Sequence, residues 1–251
     1  MSTKKANGQP PSRKASKAAA QRAAKAAADA PALEAGREAY MRGDFEAALG
    51  TWKPLADGGN AEAQAWVGSL YANGDGVAQD AAAAFDWYLK SAEGGNPQAQ
   101  ANVGAFYAMG QGVAQDMAEA VRWMRRAARN GDTNAQFNMA VLYSKGDGVK
   151  QSAAKAAEWY RKAAENGHYP SQGRLGHMYY TGEGVKKDRV EAYLWLSLAG
   201  QHGIGSALTE LEKVVGEMSS DEKAAAMQLV DHWLARTRDG SAPGVFTPVP
   251  D

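Results

Sequence analysis

A repeat of fixed length constrains the fold of this chain more than any other feature. The dipeptide Gly-Val recurs every 36 residues, beginning at Gly76, Gly112, Gly148 and Gly184. A tyrosine and a tryptophan keep the same interval, at Tyr71, Tyr107, Tyr143 and Tyr179 and at Trp87, Trp123, Trp159 and Trp195. Such a period is typical of a supersecondary unit stacked on copies of itself. A stack offers an extended surface to a partner and needs no catalytic centre.

Each full unit predicts two helices, A and B. Residues suited to N-caps precede helix A at Asn60, Asn96, Asp132 and His168, and precede helix B at Asp80, Asp116, Ser152 and Asp188. A Gly-x-Gly loop joins the two helices, and a glycine follows helix B. Glu119 and Glu191 are predicted to complete capping boxes at two of the B helices.

The positions that repeat within the helices predict packing. Small residues recur inside helix A at Gly68, Gly104, Ala140 and Gly176, which predicts a close approach between helices. The repeated tryptophans are expected in the core, because an alanine always precedes them by three residues. Repeated glutamines at Gln64, Gln100, Gln136 and Gln172 are expected to bond across neighbouring units. Trp66 lies off the repeat and is expected either at the surface or at a contact with the end of the stack.

The predicted fold is all-α, with about five helix-turn-helix repeats and a C-terminal helical cap. The predicted segments are a basic low-complexity arm at 1–32, repeats at 33–59, 60–95, 96–131, 132–167 and 168–203, a cap at 204–236, and a loose tail at 237–251. The cap begins its second helix at Ser219, with Glu222 as a capping-box partner. The arm is expected to be a fraying helix or disordered, since it has almost no large apolar residues.

Charge is unevenly distributed although the formal net charge is zero. Residues 1–32 carry seven basic side chains and one acidic, a net of +6, so the remainder carries −6. The arm therefore either improves solubility or contacts nucleic acid or an anionic surface through residues 4–25. The chain has no cysteine, no signal-peptide pattern and no apolar run that could span a membrane, so a cytoplasmic protein is expected.

The repeats resemble the Sel-one-like repeat (SLR) family, which is related to tetratricopeptide repeats. The resemblance rests on Ala-Gln, Gly-x-x-Tyr, Gly-x-Gly-Val and Ala-x-x-Trp-Tyr-x-Lys-Ala-Ala, best seen at 156–164, and covers about 33–203. It implies a right-handed α-solenoid with helix A on the inner surface. It also implies an adaptor or scaffold that binds a protein or peptide partner.

Catalytic and ligand-binding alternatives find little support in the sequence. Four Gly-x-Gly loops between helices indicate turns with positive φ, not a nucleotide fingerprint that lies between a strand and a helix. The segment 75–80 lacks the alternation of a calcium loop. Glu165 and His168 have metal-like spacing but flank a predicted helix end, and neither HExxH nor Gly-x-Ser-x-Gly occurs. We therefore expect no enzymatic activity, no cofactor and no metal.

Function is expected where the repeats differ on the inner face of helix A. The predicted groove residues are Asn102, Met109, Phe137, Asn138, Lys145, Arg174, His177 and Tyr180. Asn102 and Asn138 correspond to positions at which related tetratricopeptide clamps hold a peptide backbone or a terminal carboxylate. Lys145 and Arg174 could pair with such a carboxylate. Alternatively, the two asparagines only form hydrogen bonds with polar groups of neighbouring helices.

Overall fold

In the computed structural model, residues 13–238 are described; they form twelve α-helices and contain no β-strand. The helices are α1 (Arg13–Met41), α2 (Phe45–Asp57), α3 (Ala61–Asn73), α4 (Ala81–Glu93), α5 (Pro97–Met109), α6 (Met117–Arg129), α7 (Thr133–Lys145), α8 (Ala153–Glu165), α9 (Tyr169–Thr181), α10 (Arg189–Gln201), α11 (Gly205–Glu217) and α12 (Ser220–Arg238). The predicted all-α repeat fold is confirmed. The start of the basic arm and the tail beyond Arg238 lie outside the described residues.

The helices keep the register of the sequence repeat. Helix A of the four full units is α3, α5, α7 and α9, and helix B is α4, α6, α8 and α10. Successive helices of each kind begin 36 residues apart. Helix α11 continues the A register, because Gly205 follows Tyr169 by the same interval. The C-terminal pair α11 and α12 therefore occupies the place of a further repeat.

The predicted N-caps are confirmed. Asn60 accepts a hydrogen bond from the Ala63 amide at 3.0 Å, and Asp80 accepts from the Ala82 and Ala83 amides at 2.9 and 3.0 Å. The ring of His168 takes the same role for α9. These bonds satisfy amides of the first turn that have no partner within the helix.

The capping boxes predicted at Glu119 and Glu191 are wrong. The backbone N–H of each N-cap crosses the hairpin and donates to a tyrosine carbonyl of helix A, Asp116 to Tyr107 and Asp188 to Tyr179, both at 2.9 Å. Because the N-cap amide already has an acceptor, the two glutamates have other partners. Glu119 accepts a hydrogen bond from Arg122, and Glu191 accepts one from Trp195 Nε1 at 3.0 Å. The box predicted at Ser219 and Glu222 is confirmed, with bonds of 2.8 and 3.2 Å.

Small residues do mark close approach within the hairpins. A Cβ added at Gly176 would lie 2.6 Å from Leu196 Cγ, and one added at Gly104 would lie 3.1 Å from the Ala120 carbonyl oxygen. Ala140, at the equivalent position in α7, is fully buried. The close neighbour is backbone at Gly104, whereas at Gly176 the Leu196 side chain comes nearer.

The tryptophans divide into two groups. Trp123 and Trp195 are 5% and 2% exposed, as expected for the core. Trp87 and Trp159 are only partly buried but both pack against buried clusters, so the expected core position is confirmed in full for the first pair and in part for the second. Lysine ammonium groups lie over their rings, with Lys90 at 4.1 Å and Lys162 at 4.3 Å from the centroid. A lysine one turn later on the same helix therefore covers the half-exposed indole.

The chain divides into two compact units, residues 1–95 and 96–251. In the first, Trp52 is fully buried and its Nε1 donates to the Leu33 carbonyl at 3.2 Å. Trp66 stacks on Trp52 with ring centroids 4.8 Å apart, which places it in this terminal core. Helix α1 runs without a break through the predicted boundary at 32 and contains Pro31.

The second unit contains α5–α12. Its largest buried cluster includes Leu175, Trp195, Leu196 and Val214, so the C-terminal pair shares a core with the last full repeat. No helix among residues 13–238 is long and apolar enough to cross a membrane.

Candidate functional site

Buried glutamines bond α7 and α9 to the repeat that precedes each of them. Gln136 Nε2 donates to the Ala128 carbonyl at 3.2 Å, and Gln172 Nε2 donates to the Ala164 carbonyl at the same distance. The predicted bonding across units is thus confirmed. Gln136 Oε1 also accepts from Asn166 at 3.1 Å. These bonds hold the helices that carry the candidate groove residues.

Five of the predicted groove residues remain accessible along α5, α7 and α9. Met109 is 62% exposed, Asn138, Lys145 and Arg174 are exposed, and Asn102 is partly exposed. Neither Lys145 nor Arg174 forms an ion pair with a residue between 13 and 238. Asn138 Nδ2 has only a 4.0 Å contact with the Met124 sulfur. The polar groups of Asn138, Lys145 and Arg174 are therefore available to a ligand.

Phe137 takes part in packing between units. It is partly buried, and its ring centroid lies 5.9 Å from that of Tyr160 and 4.8 Å from that of His168. Burial lowers the pKa of His168, which favours the neutral ring that caps α9. Phe137 thus belongs to the packed layer of α7, α8 and the start of α9, and not to the accessible groove residues.

The side chains of His177 and Tyr180 contact carboxylates of α11. His177 Nδ1 lies 2.7 Å from Glu210 Oε1, and the Tyr180 hydroxyl donates to Glu217 at 2.7 Å. The latter hydrogen bond raises the pKa of Tyr180 and lowers the pKa of Glu217. At the C-terminal end of the predicted groove, a helix of the same chain therefore contacts two of the predicted residues.

A cleft of about 400 Å³ lies at this end. Arg174 and His177 of α9 line it together with Gly173, Ile204 and Glu210. Arg174 is the exposed cation of the cleft. The cleft combines the Arg174 guanidinium with the Glu210 carboxylate, which contacts His177, and with small and apolar surfaces.

Metal chemistry has no framework in the part of the chain that the structure describes. No group of three or more histidine, aspartate or glutamate residues there could hold a metal ion. The imidazole of His168 contacts Ser171 instead, with 2.8 Å between Nδ1 and Oγ. His168, one of the two residues considered for a metal from their spacing, thus caps α9.

A basic helix face was missed by reasoning from the sequence, which looked for function on helix A. Four arginines lie on α6, a B helix: Arg122, Arg125, Arg126 and Arg129. Comparing the B helices position by position would have found them. Glu158 and Glu165 of α8 stand 36 residues after Arg122 and Arg129.

A family model of the Sel1 repeat matches residues 61–96, 97–132, 133–168 and 170–204. A Sel1 repeat protein from Oxalobacter formigenes is 32% identical, with a TM-score of 0.69 over 85% of this chain and 86% of that one. A protective antigen of uropathogenic Escherichia coli that displays an SLR fold is 30% identical, with a TM-score of 0.70 over 89% of this chain. The chain spans half the length of that antigen, with 50% covered. No curated protein matches.

Proposed function

Because this chain belongs to the Sel1 repeat family, we propose that it is a non-enzymatic scaffold that binds a protein or peptide partner on α5, α7 and α9. The observation that carries the proposal is a contrast within these helices. Most positions that repeat are buried, and the repeated glutamines bond to the preceding repeat, whereas Asn138, Lys145 and Arg174 lie at positions that vary among the four repeats and have exposed side chains. Packing therefore does not account for these three side chains.

The contacts of α9 with α11 support a carboxylate-bearing ligand. Glu210 and Glu217 already meet His177 and Tyr180 on this face. Lys145 and Arg174 offer stronger partners for a carboxylate, since both are cations. A peptide with an acidic side chain or a free C-terminus would pair with them, while Asn138 would bond to its backbone.

The test replaces Asn138, Lys145 and Arg174 together with alanine. We expect the variant to lose the proteins that the full chain captures from native extract and to melt at an unchanged temperature. A matched control replaces Gln111, Lys150 and Lys186 with alanine. These residues are exposed in interhelical loops, and their replacement removes the same number of charges. Equal capture by the triple variant and the control would reject the groove.

A further inference from the structure

The four arginines of α6 form a continuous stripe on one helix face. Their spacing of i, i+3, i+4 and i+7 places them on one side of the helix, over a length of about 10 Å. Together with Trp123 and Asn130 they line a cleft of about 370 Å³. Arg122, Arg126 and Arg129 are exposed. We call Arg122, Arg125, Arg126 and Arg129 the arginine stripe.

The packing of a B helix does not require this stripe. The buried alanines Ala120 and Ala127 have counterparts 36 residues later that are also buried, at Ala156 and Ala163. The two ends of the stripe, in contrast, correspond to glutamates in α8 and to Asp86 and Glu93 in α4. The ends of the stripe thus carry the opposite charge in α4 and α8 and no charge in α10, whereas the inner positions are also basic at Lys90, Arg161 and Lys162. The charge reversal is specific to α6.

The stripe also has more positive charge than its surroundings neutralise. Glu119 pairs with Arg122 at 2.6 Å. Arg125, Arg126 and Arg129 have no carboxylate partner between residues 13 and 238. Like charges on one helix face destabilise the isolated helix slightly. An anionic partner would remove that repulsion.

Trp123 holds part of the stripe in place. The guanidinium carbons of Arg122 and Arg126 lie 5.4 and 5.2 Å from its ring centroid. The sister helices place a lysine, Lys90 or Lys162, where α6 has Arg126. A guanidinium presents a planar pair of donors that fits a carboxylate in bidentate fashion, which a lysine ammonium cannot do. The guanidinium groups of the stripe therefore favour acceptors that offer two oxygens, carboxylates and phosphates alike.

The positive charge at the ends of the stripe does not continue onto α8, the next B helix along the chain. Trp159 of α8 packs against the buried cluster to which Val121 and Ala127 of α6 belong. In the register of the repeat, Glu158 and Glu165 present negative charge on α8 at the positions where α6 presents Arg122 and Arg129. A nucleic acid or a membrane surface would extend over these carboxylates and be repelled. A short segment would avoid them.

We infer that the arginine stripe docks a short segment rich in aspartate or glutamate, supplied by a protein partner. This surface belongs to a B helix and does not depend on the groove proposed on the A helices. The chain therefore has a second interaction surface, selective for carboxylates.

The test measures binding of a fluorescein-labelled octaglutamate peptide to the full chain by fluorescence anisotropy at low salt. In the variant R122E/R129E, α6 receives the residues that α8 has at these positions, so the helix should tolerate them. We expect Kd to weaken at least tenfold. The neutral variant R122Q/R129Q should show an intermediate loss, and circular dichroism checks that both remain helical.

The matched control is K150E/K186E, which changes net charge equally on exposed loop residues. It should weaken binding less than twofold, and the basic arm at 1–32 contributes equally to every sample. An equal loss in control and stripe variants would overturn the inference, as would undetectable binding by the unmodified chain. Tighter binding of an eight-nucleotide single-stranded DNA, also lost in R122E/R129E, would assign the stripe to nucleic acid instead. Loss of the peptide only with N138A/K145A/R174A would place it in the groove.

Discussion

At the scale of single residues, two glycines of α9 have opposite roles. Gly176 faces Leu196 so closely that an added Cβ would lie 2.6 Å from Cγ and 3.0 Å from the backbone nitrogen. Gly173 has room, since its nearest neighbours would be 3.7 Å away. Only the first is required by packing between the helices of the hairpin.

Alanine at these two positions should therefore change stability in opposite directions. We expect Gly173→Ala to raise the free energy of unfolding by up to about 1 kcal/mol, because alanine favours the helix. Gly176→Ala should lower it, since overpacking typically costs about 1–3 kcal/mol and exceeds that gain. Urea denaturation measures both changes in the free energy of unfolding, provided that its dependence on urea concentration is the same in the variants and the unmodified chain. A stabilising Gly176→Ala would contradict the close packing of α9 on α10.

At the scale of elements, carboxylates attach the C-terminal helices. Glu222 accepts the Ser219 amide at the start of α12, and this bond is the main reason that its pKa is lowered. Arg189 of α10 lies 3.5 Å from Glu222 and 3.4 Å from Glu217. The ionised form of Glu222 thus favours the folded pair α11 and α12.

The contribution of Glu222 should depend on pH. Because its folded pKa lies below the ordinary value of 4.5, its stabilisation is complete above that value and disappears as pH falls through the folded pKa. Glu222→Gln keeps a side-chain acceptor and removes the charge. We expect it to be less stable than the unmodified chain at pH 7, and the difference to be smaller at pH 3, by urea denaturation. Glu212→Gln, exposed on α11, is the control. A constant difference between the unmodified chain and Glu222→Gln at both pH values would contradict the ionic role of Glu222.

At the scale of the whole molecule, the repeat made the helices predictable, because N-caps and glycines are local signals. The outcome at Glu119 and Glu191 was not predictable in this way, since tyrosine carbonyls on another helix accept from the Asp116 and Asp188 amides. Nor did the sequence indicate that Glu210 would reach His177, 33 residues away. Helix α1 agrees with the helical one of the two alternatives for the arm, between which the sequence could not decide because this segment has almost no large apolar residues.

The central claim is that a protein partner lies on the exposed A-helix residues of the second unit. Site-specific photo-crosslinking in living cells tests it, with p-benzoylphenylalanine placed at 138 or 145 and, as controls, at 150 or 186. We predict a covalent adduct with another protein from positions 138 and 145 and none from the loop positions. Adducts from the loop positions alone, or none from 138 and 145, would contradict the account.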